Sequence, residues 1–171
     1  KQSDGSLIGH NTDYFGFQTM VAESGLKVFG KKVLVLGSGG ASNTAVAVLN
    51  ELGANVVVIS RNGENNYGNL YLHKDAYAIV NTTPVGMYPN NLKSLVNLDD
   101  FKNLSGVLDV VYNPLKTKLI LDAEERNIPC SAGLSMLVAQ AKKAHEIFFD
   151  TKIETSVCEK IESVLRMQMC N

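Results

Sequence analysis

At 171 residues the chain is long enough to bury one sizeable core, and its 45% hydrophobic and 19% charged residues are ordinary for a globular protein. Its 16 Lys and Arg stand against 17 Asp and Glu, a net charge of −1 with the cations scattered, which excludes a nucleic-acid footprint. No apolar stretch suits a membrane span and no signal peptide opens the chain; Cys130, Cys158 and Cys170 have neither disulfide nor metal-ligand spacing, so a cytoplasmic protein without a metal is expected.

Tyr14, Phe17, Val21 and Ala22 recur at helical spacing after "HNTD", which predicts a helix capped by Asn11 or Thr12 and closed by Gly25. "KVLVLG" (32–37) is a continuous apolar run, the pattern of a strand buried on both faces. Residues 41–52 predict a helix with Ala45, Val48, Leu49 and Leu52 on one face and Gly53 at its end. "NVVVIS" (55–60) is a second buried strand, "YLHKDAYAIVNTT" holds one or two more ending at Thr82 and Thr83, and 107–111 is another, stopped by Pro114. "TKLILDAEERN" predicts a helix and "IPCSAG" a short last strand. The remainder is helical, with Leu134, Leu137, Val138, Ala141 and Phe148 in one stripe and Ile153, Val157, Ile161 and Leu165 in another. Alternating helices and apolar strands predict an α/β fold, a doubly wound, Rossmann-like parallel sheet in one domain, with about 30–132 as the nucleotide-binding core and 133–171 as C-terminal helices. "RNGENNYGN" (61–69) is too short and polar for a full crossover helix, so an abbreviated connection is expected there.

Gly37, Gly39 and Gly40 stand between a buried strand and a helix, where glycine permits a tight turn and lets backbone approach a pyrophosphate at the helix N-terminus. Ser42 occupies the third glycine position of the usual G-x-G-x-x-G, and a buried turn can need glycine for steric reasons alone. At the end of the second strand an NAD site places a carboxylate for the ribose hydroxyls; here stand Ser60, Arg61 and Asn62. A guanidinium suits a ribose phosphate, which a carboxylate would repel, so the pair of features points to NADP. A solvated surface arginine is the plainer alternative.

"NTDYFGF" (11–17), "GSGGA" (37–41), "SRN" (60–62), "NTTPVGM" (81–87), "DVVYNPLKTKLI" (109–120) and "GLSMLVAQA" (133–141) occur in an order and spacing that resemble the shikimate/quinate dehydrogenases over nearly the whole chain. The resemblance implies reversible hydride transfer between NADP(H) and the 3-dehydroshikimate/shikimate pair, a step of aromatic amino-acid biosynthesis. It assigns Asp13 to the active site, against a substrate hydroxyl, and Tyr112 and Gln140 to substrate contact. It places Gly37, Ser38, Gly39, Gly40 and Ala41 at the pyrophosphate, Ser60, Arg61 and Asn62 at the ribose phosphate, Thr82 and Thr83 against the cofactor, and Val110 and Gly133 at the nicotinamide. Each position also has a plainer use: Asp13 complements a helix N-terminus, Tyr112 packs at a strand end, and Gln140 is a helix glutamine.

The chain departs from the family in three ways. Its second strand lacks the further basic residue that follows the family's arginine, which implies a weaker NADP preference. Its shortened 61–69 connection is expected to thin one sheet face and loosen the adenine pocket. It opens with "KQSDG" only a dozen residues before Asp13, whereas the family carries a preceding substrate domain that supplies a catalytic lysine; Lys1 lies too near the motif to be that base. The chain is therefore expected to be the cofactor-binding portion, with little turnover alone, and its last helices to expose an apolar patch toward the missing N-terminal domain or a second copy. A non-catalytic nucleotide-binding module and an NAD-preferring quinate/shikimate dehydrogenase are the alternatives.

Overall fold

The computed structural model describes residues 4–169; Lys1 and Cys170 lie outside them. Five parallel strands, β1 (Lys32–Leu36), β2 (Asn55–Ile59), β3 (Ala78–Asn81), β4 (Gly106–Asp109) and β5 (Cys130–Ala132), lie in the order β2-β1-β3-β4-β5. The α/β, Rossmann-like class expected from the alternating pattern is what the structure has. In β1 the side chains alternate between two cores: Val33 and Val35 enter one, Leu34 and Leu36 the other, and all four are fully buried. A strand covered on both sides has no polar face, which is why its sequence reads as an unbroken apolar run.

The first core is covered by α1 (Thr12–Ser24), α2 (Gly40–Glu51) and α4 (Leu134–Phe149), through Phe17, Met20, Ala45, Val48 and Leu49. The second face has less helix. Only α3 (Lys118–Glu125) crosses it fully, with Leu119, Ile120 and Ala123, and short 3-10 turns at Leu70–His73 and Leu98–Asp100 fill the rest. Residues 60–77 thus connect β2 to β3 across β1 without an α-helix, as the polar "RNGENNYGN" stretch predicts. The stretch from 71 to 83 contains one strand rather than two, because "YLH" closes the 3-10 turn and leaves only Ala78–Asn81 to pair with β1 and β4.

Local chemistry sets the helix ends. Asn11, not Thr12, caps α1: its Oδ1 accepts from Tyr14 N at 3.3 Å, and Gly25 ends the helix at φ 71°. α1 packs closely along α4 at Gly16, where an added Cβ would come within 2.6 Å of the Met136 carbonyl oxygen. The stripes expected on the last two helices are partly wrong. In α4 the buried residues are Leu134, Ser135, Val138 and Ala139, while Ala141 and Phe148 are exposed. α5 (Thr155–Met169) packs mainly on α4 and buries no residue fully. Phe148, Phe149, Val157, Ile161, Val164 and Met167 form the exposed apolar surface anticipated for this end of the chain.

Replacing Gly16 with valine drives a side chain into the α4 backbone, and we expect a loss of about 1–3 kcal/mol. A lowered urea midpoint with an unchanged m-value is the measurement that checks it.

Candidate functional site

In a sheet of order 2-1-3-4-5 the chain turns in opposite directions after β1 and β3, and the crevice between their C-terminal ends is left open. A cleft of about 460 Å³ occupies that position, lined by Gly37, Ser38 and Gly39 on one side, Ser60, Arg61 and Tyr67 on another, and Thr82 to Val85 with Leu95 on the third. A second cavity of about 320 Å³ shares Thr82, Thr83 and Pro84 and continues past Met87 and Tyr88 to Val110, Tyr112 and Asn113. Sharing Thr82, Thr83 and Pro84, the two adjoin as one groove along the C-terminal edge of the sheet.

The glycines of the first turn divide into two kinds. Gly37 is required by the fold: its φ is +114°, and an added Cβ would lie 2.9 Å from both Thr82 Oγ1 and Thr83 Cγ2. Gly39 and Gly40 have no such reason. A Cβ on either would meet nothing within 4 Å, and Gly39 has φ −91°, open to any residue. The steric reading of the turn therefore explains Gly37 and fails for the next two, which are small beside empty space. Gly39 caps α2 without a side-chain hydrogen bond, so the first-turn N–H groups at Gly40 and Ala41 keep no side-chain acceptor from the cap. Ser42, at the variant third glycine position, is buried and donates from Oγ to Gly37 O at 2.7 Å, fixing the turn to the helix it precedes.

Arg61 sits on the opposite wall, exposed, with no ion pair to any described residue. Ser60 lines the same wall; Asn62 is exposed and outside the lining. No carboxylate lines the cleft. Among the described residues no group of three His, Cys, Asp or Glu could hold a metal ion, and no helix is long and apolar enough to cross a membrane.

Thr82 and Thr83 belong to the groove, but their hydroxyls are already committed. Thr82 Oγ1 donates to Leu36 O at 2.7 Å and Thr83 Oγ1 to Asn81 Oδ1 at 2.7 Å. They hold the "NTTP" turn in place and present little free donor capacity. Behind them lies a buried polar network that the motif reading missed. Asp109, fully buried at the end of β4, accepts from Asn81 Nδ2 at 3.0 Å, Val111 N at 3.0 Å and Thr117 Oγ1 at 2.7 Å. Burial pushes its pKa up to about 6, outweighing the three donors, which pull it down. Thr117 in turn caps α3 by accepting from Ile120 N. A lone acid closing an apolar strand was the available signal, since a buried carboxylate demands partners.

Of the residues assigned to substrate, only Tyr112 lines the groove; Asp13 and Gln140 lie on α1 and α4 outside its lining. Thr12 Oγ1 donates to Gln140 Oε1 at 3.2 Å, and Asn11 Nδ2 donates to Thr44 Oγ1 at 3.3 Å, so the first two residues of "NTD" tie α1 to α4 and α2. Asp13, the third, is exposed and takes no hydrogen bond from a described residue. Tyr112 lines the second cavity at 44% exposure, and Val110 lines it too. Gly133 is buried outside the lining; an added Cβ would fall 2.1 Å from Val110 O, so it is glycine to let α4 start against β4's exit.

No protein-family model matches the chain. Among curated proteins it is 36% identical, over 95% of its own length and 65% of the relative's, to the shikimate dehydrogenase (NADP(+)) of Clostridium perfringens strain SM101. It is 34% identical, over 98% of its length and 67% of the relative's, to that of Methanococcus maripaludis strain C7. Among solved structures, the chorismate mutase/shikimate 5-dehydrogenase fusion protein from Clostridium acetobutylicum superposes with a TM-score of 0.89 at 31% identity, covering 94% of this chain and 63% of that one. The chain thus spans about 65% of the length of the first curated relative.

Two tests follow from the geometry. Gly37→Ala should cost about 1–3 kcal/mol from its left-handed backbone and the threonine contacts, while Gly40→Ala should leave stability unchanged or raise it by up to about 1 kcal/mol; paired denaturation curves decide. Folding raises the Asp109 pKa from 3.8 to about 6, so the native state holds that proton more tightly. Its stabilising contribution is complete below the unfolded value and is lost as pH rises through the folded one. Relative to Asp109→Asn, the protein should lose about 3 kcal/mol between about pH 4 and pH 7, measured as the pH dependence of the difference in unfolding free energy.

Proposed function

This chain belongs to the shikimate dehydrogenase family, and we propose that it carries the NADP(H) site of an enzyme that interconverts 3-dehydroshikimate and shikimate. One observation supports the dinucleotide reading above the others: Gly39 and Gly40 face open space at an α2 N-terminus that has no side-chain cap. The names of the curated relatives supply the cofactor's identity, and Arg61 supports the phosphorylated form.

The residues present fit that cofactor. Backbone N–H groups at the start of α2 would hold the pyrophosphate, Arg61 the ribose phosphate, and Val110 with the Thr82–Thr83 turn the nicotinamide end. When bound, the nicotinamide supplies a hydride to the ring ketone. The chain's own contribution is position. The Asp109 network holds the "NTTP" turn and the exit of β4 in one arrangement, so that the second cavity keeps its shape. On the substrate side, Asp13 at the start of α1, Gln140 on α4 and Tyr112 at the second cavity would orient a polyhydroxylated ring. Asp13 would accept from a ring hydroxyl beside the lysine that the family resemblance assigns to proton transfer. That lysine belongs to the portion of the family which this chain does not match, so the 171-residue chain should bind cofactor without turning over shikimate. Shikimate-dependent NADPH formation by the chain alone would overturn this division of labour.

The binding test is a fluorescence titration with NADPH and NADH. We expect NADPH to bind at least about tenfold more tightly, and Arg61→Ala to weaken NADPH by about 10–100-fold while leaving NADH within a few-fold. Failure of both nucleotides to bind would sink the cofactor assignment.

A further inference from the structure

The connection that replaces the β2–β3 helix is not loose. Ser60 N donates to Asn65 O at 3.1 Å, and Asn66 Nδ2 to Gly63 O at 3.1 Å. Asn66 N donates to Asn69 Oδ1 at 2.8 Å, Gly68 N to Asn66 Oδ1 at 2.9 Å, and Asn69 Nδ2 to Glu64 O at 2.8 Å. His73 Nε2 pairs with Asn65 Oδ1 at 3.0 Å, tying the loop to the 3-10 turn that follows. Along this connection the asparagine side chains stand in for the missing backbone ladder. They enclose one residue, Tyr67, between the Asn66 and Gly68 that an Asx turn closes.

Tyr67 lines the cleft beside Arg61 and packs its ring on the second core. Its hydroxyl makes no hydrogen bond to a described residue and is not among the buried unpaired atoms, so it reaches solvent from a residue that lines the cleft. Burial of the ring raises the phenol pKa above its usual value against the opposing Arg61 charge, so the hydroxyl stays a protonated donor. Meanwhile no Lys or Arg follows Arg61 before Lys74, so the wall offers one cation for a group of two negative charges.

We infer that the Tyr67 hydroxyl is a second recognition group for the ribose phosphate, acting beside Arg61 from a loop whose asparagines lock it into the cleft. This rests on the proposed NADP(H) site and deepens it: specificity for the phosphorylated cofactor comes from one cation and one fixed neutral donor rather than from two cations. A neutral donor adds a directional bond without adding charge, and a locked loop avoids the ordering cost that a flexible lysine would carry on binding.

The test uses the full chain with two small probes, adenosine 2′,5′-bisphosphate and ADP, alongside NADPH and NADH, read by calorimetry or fluorescence. Tyr67→Phe keeps the ring and its packing and should bind the 2′-phosphorylated probe and NADPH about tenfold more weakly, with ADP and NADH unchanged. Tyr67→Arg, which restores a charged donor, should recover the lost preference. Unchanged binding of all four molecules by Tyr67→Phe overturns the inference, and so does an equal loss for phosphorylated and unphosphorylated probes, which would mean that the hydroxyl serves a part common to all four or the loop itself rather than the ribose phosphate. If the unaltered chain binds neither NADPH nor NADH, the cofactor reading itself fails. If it binds NADPH and Arg61→Ala alone weakens it, that reading stands and only the role of Tyr67 is lost.

Discussion

Much of the groove hangs on one buried carboxylate. Asp109 ends β4 with no exposure and receives three donors from three segments: Asn81 at the end of β3, Val111 at the start of the following turn, and Thr117 at the cap of α3. Asn81 passes the constraint on, accepting from Thr83 N and Oγ1 and donating to Val85 O. A buried charge in an apolar sheet is tolerated only when its lone pairs are filled, so these groups must take up one arrangement together. The cost of burying Asp109 is offset by a defined floor for both cavities. Replacing it with an apolar residue would leave Asn81 and Thr117 without their shared acceptor.

Topology decides where that floor can be used. Because β1 lies between β2 and β3, the turns after β1 and β3 diverge, and no connection covers the crevice between them. Gly37 is pressed against the Thr82–Thr83 turn at the bottom of the crevice, while Gly39 and Gly40 stand clear of it. The same turn therefore does two jobs with different residues. One glycine lets two strand ends approach; the next two leave the helix N-terminus uncovered by side chains. The lone guanidinium across the cleft gives the open end a positive wall with no carboxylate opposite.

How much of this the sequence disclosed depends on the range of the interaction. The apolar runs of β1 to β4, the cap at Asn11 and the stop at Gly25 are local, and they were legible to within a residue or two. The missing crossover helix was legible as well, since a polar run rich in Gly and Asn cannot supply an apolar face. What that run does instead was not: the bonds among Asn65, Asn66 and Asn69 depend on loop closure, which no periodicity encodes. The stripe through Ala141 and Phe148 misled because α4 is amphipathic toward two neighbours. Leu137, Val138 and Ala141 face the groove shared with Ile153, Ile161 and Leu165 of the α5 end, while Leu134 and Ala139 are buried outside that groove. Gly133 read as a nicotinamide contact from its motif, yet the visible demand on it is the Val110 carbonyl at 2.1 Å from an added Cβ.

The head of α1 shows how the last helices are tied into the rest of the molecule. α1 precedes the sheet and α4 follows it, yet they form the most extensive helix pair in the molecule, closed at Gly16 and joined by the Thr12–Gln140 bond across 128 positions of sequence. Asp13 is one residue from that bond, so its place relative to the groove is set by how α4 lies on α1. α4 in turn begins at Gly133, whose N–H donates to Val111 O at the exit of β4, next to the Asp109 network. The chain of contacts runs from the buried carboxylate through the start of α4 to the exposed carboxylate at the head of α1. A change at Asp109 therefore bears on the turn that floors the groove and on the start of the helix that carries Gln140.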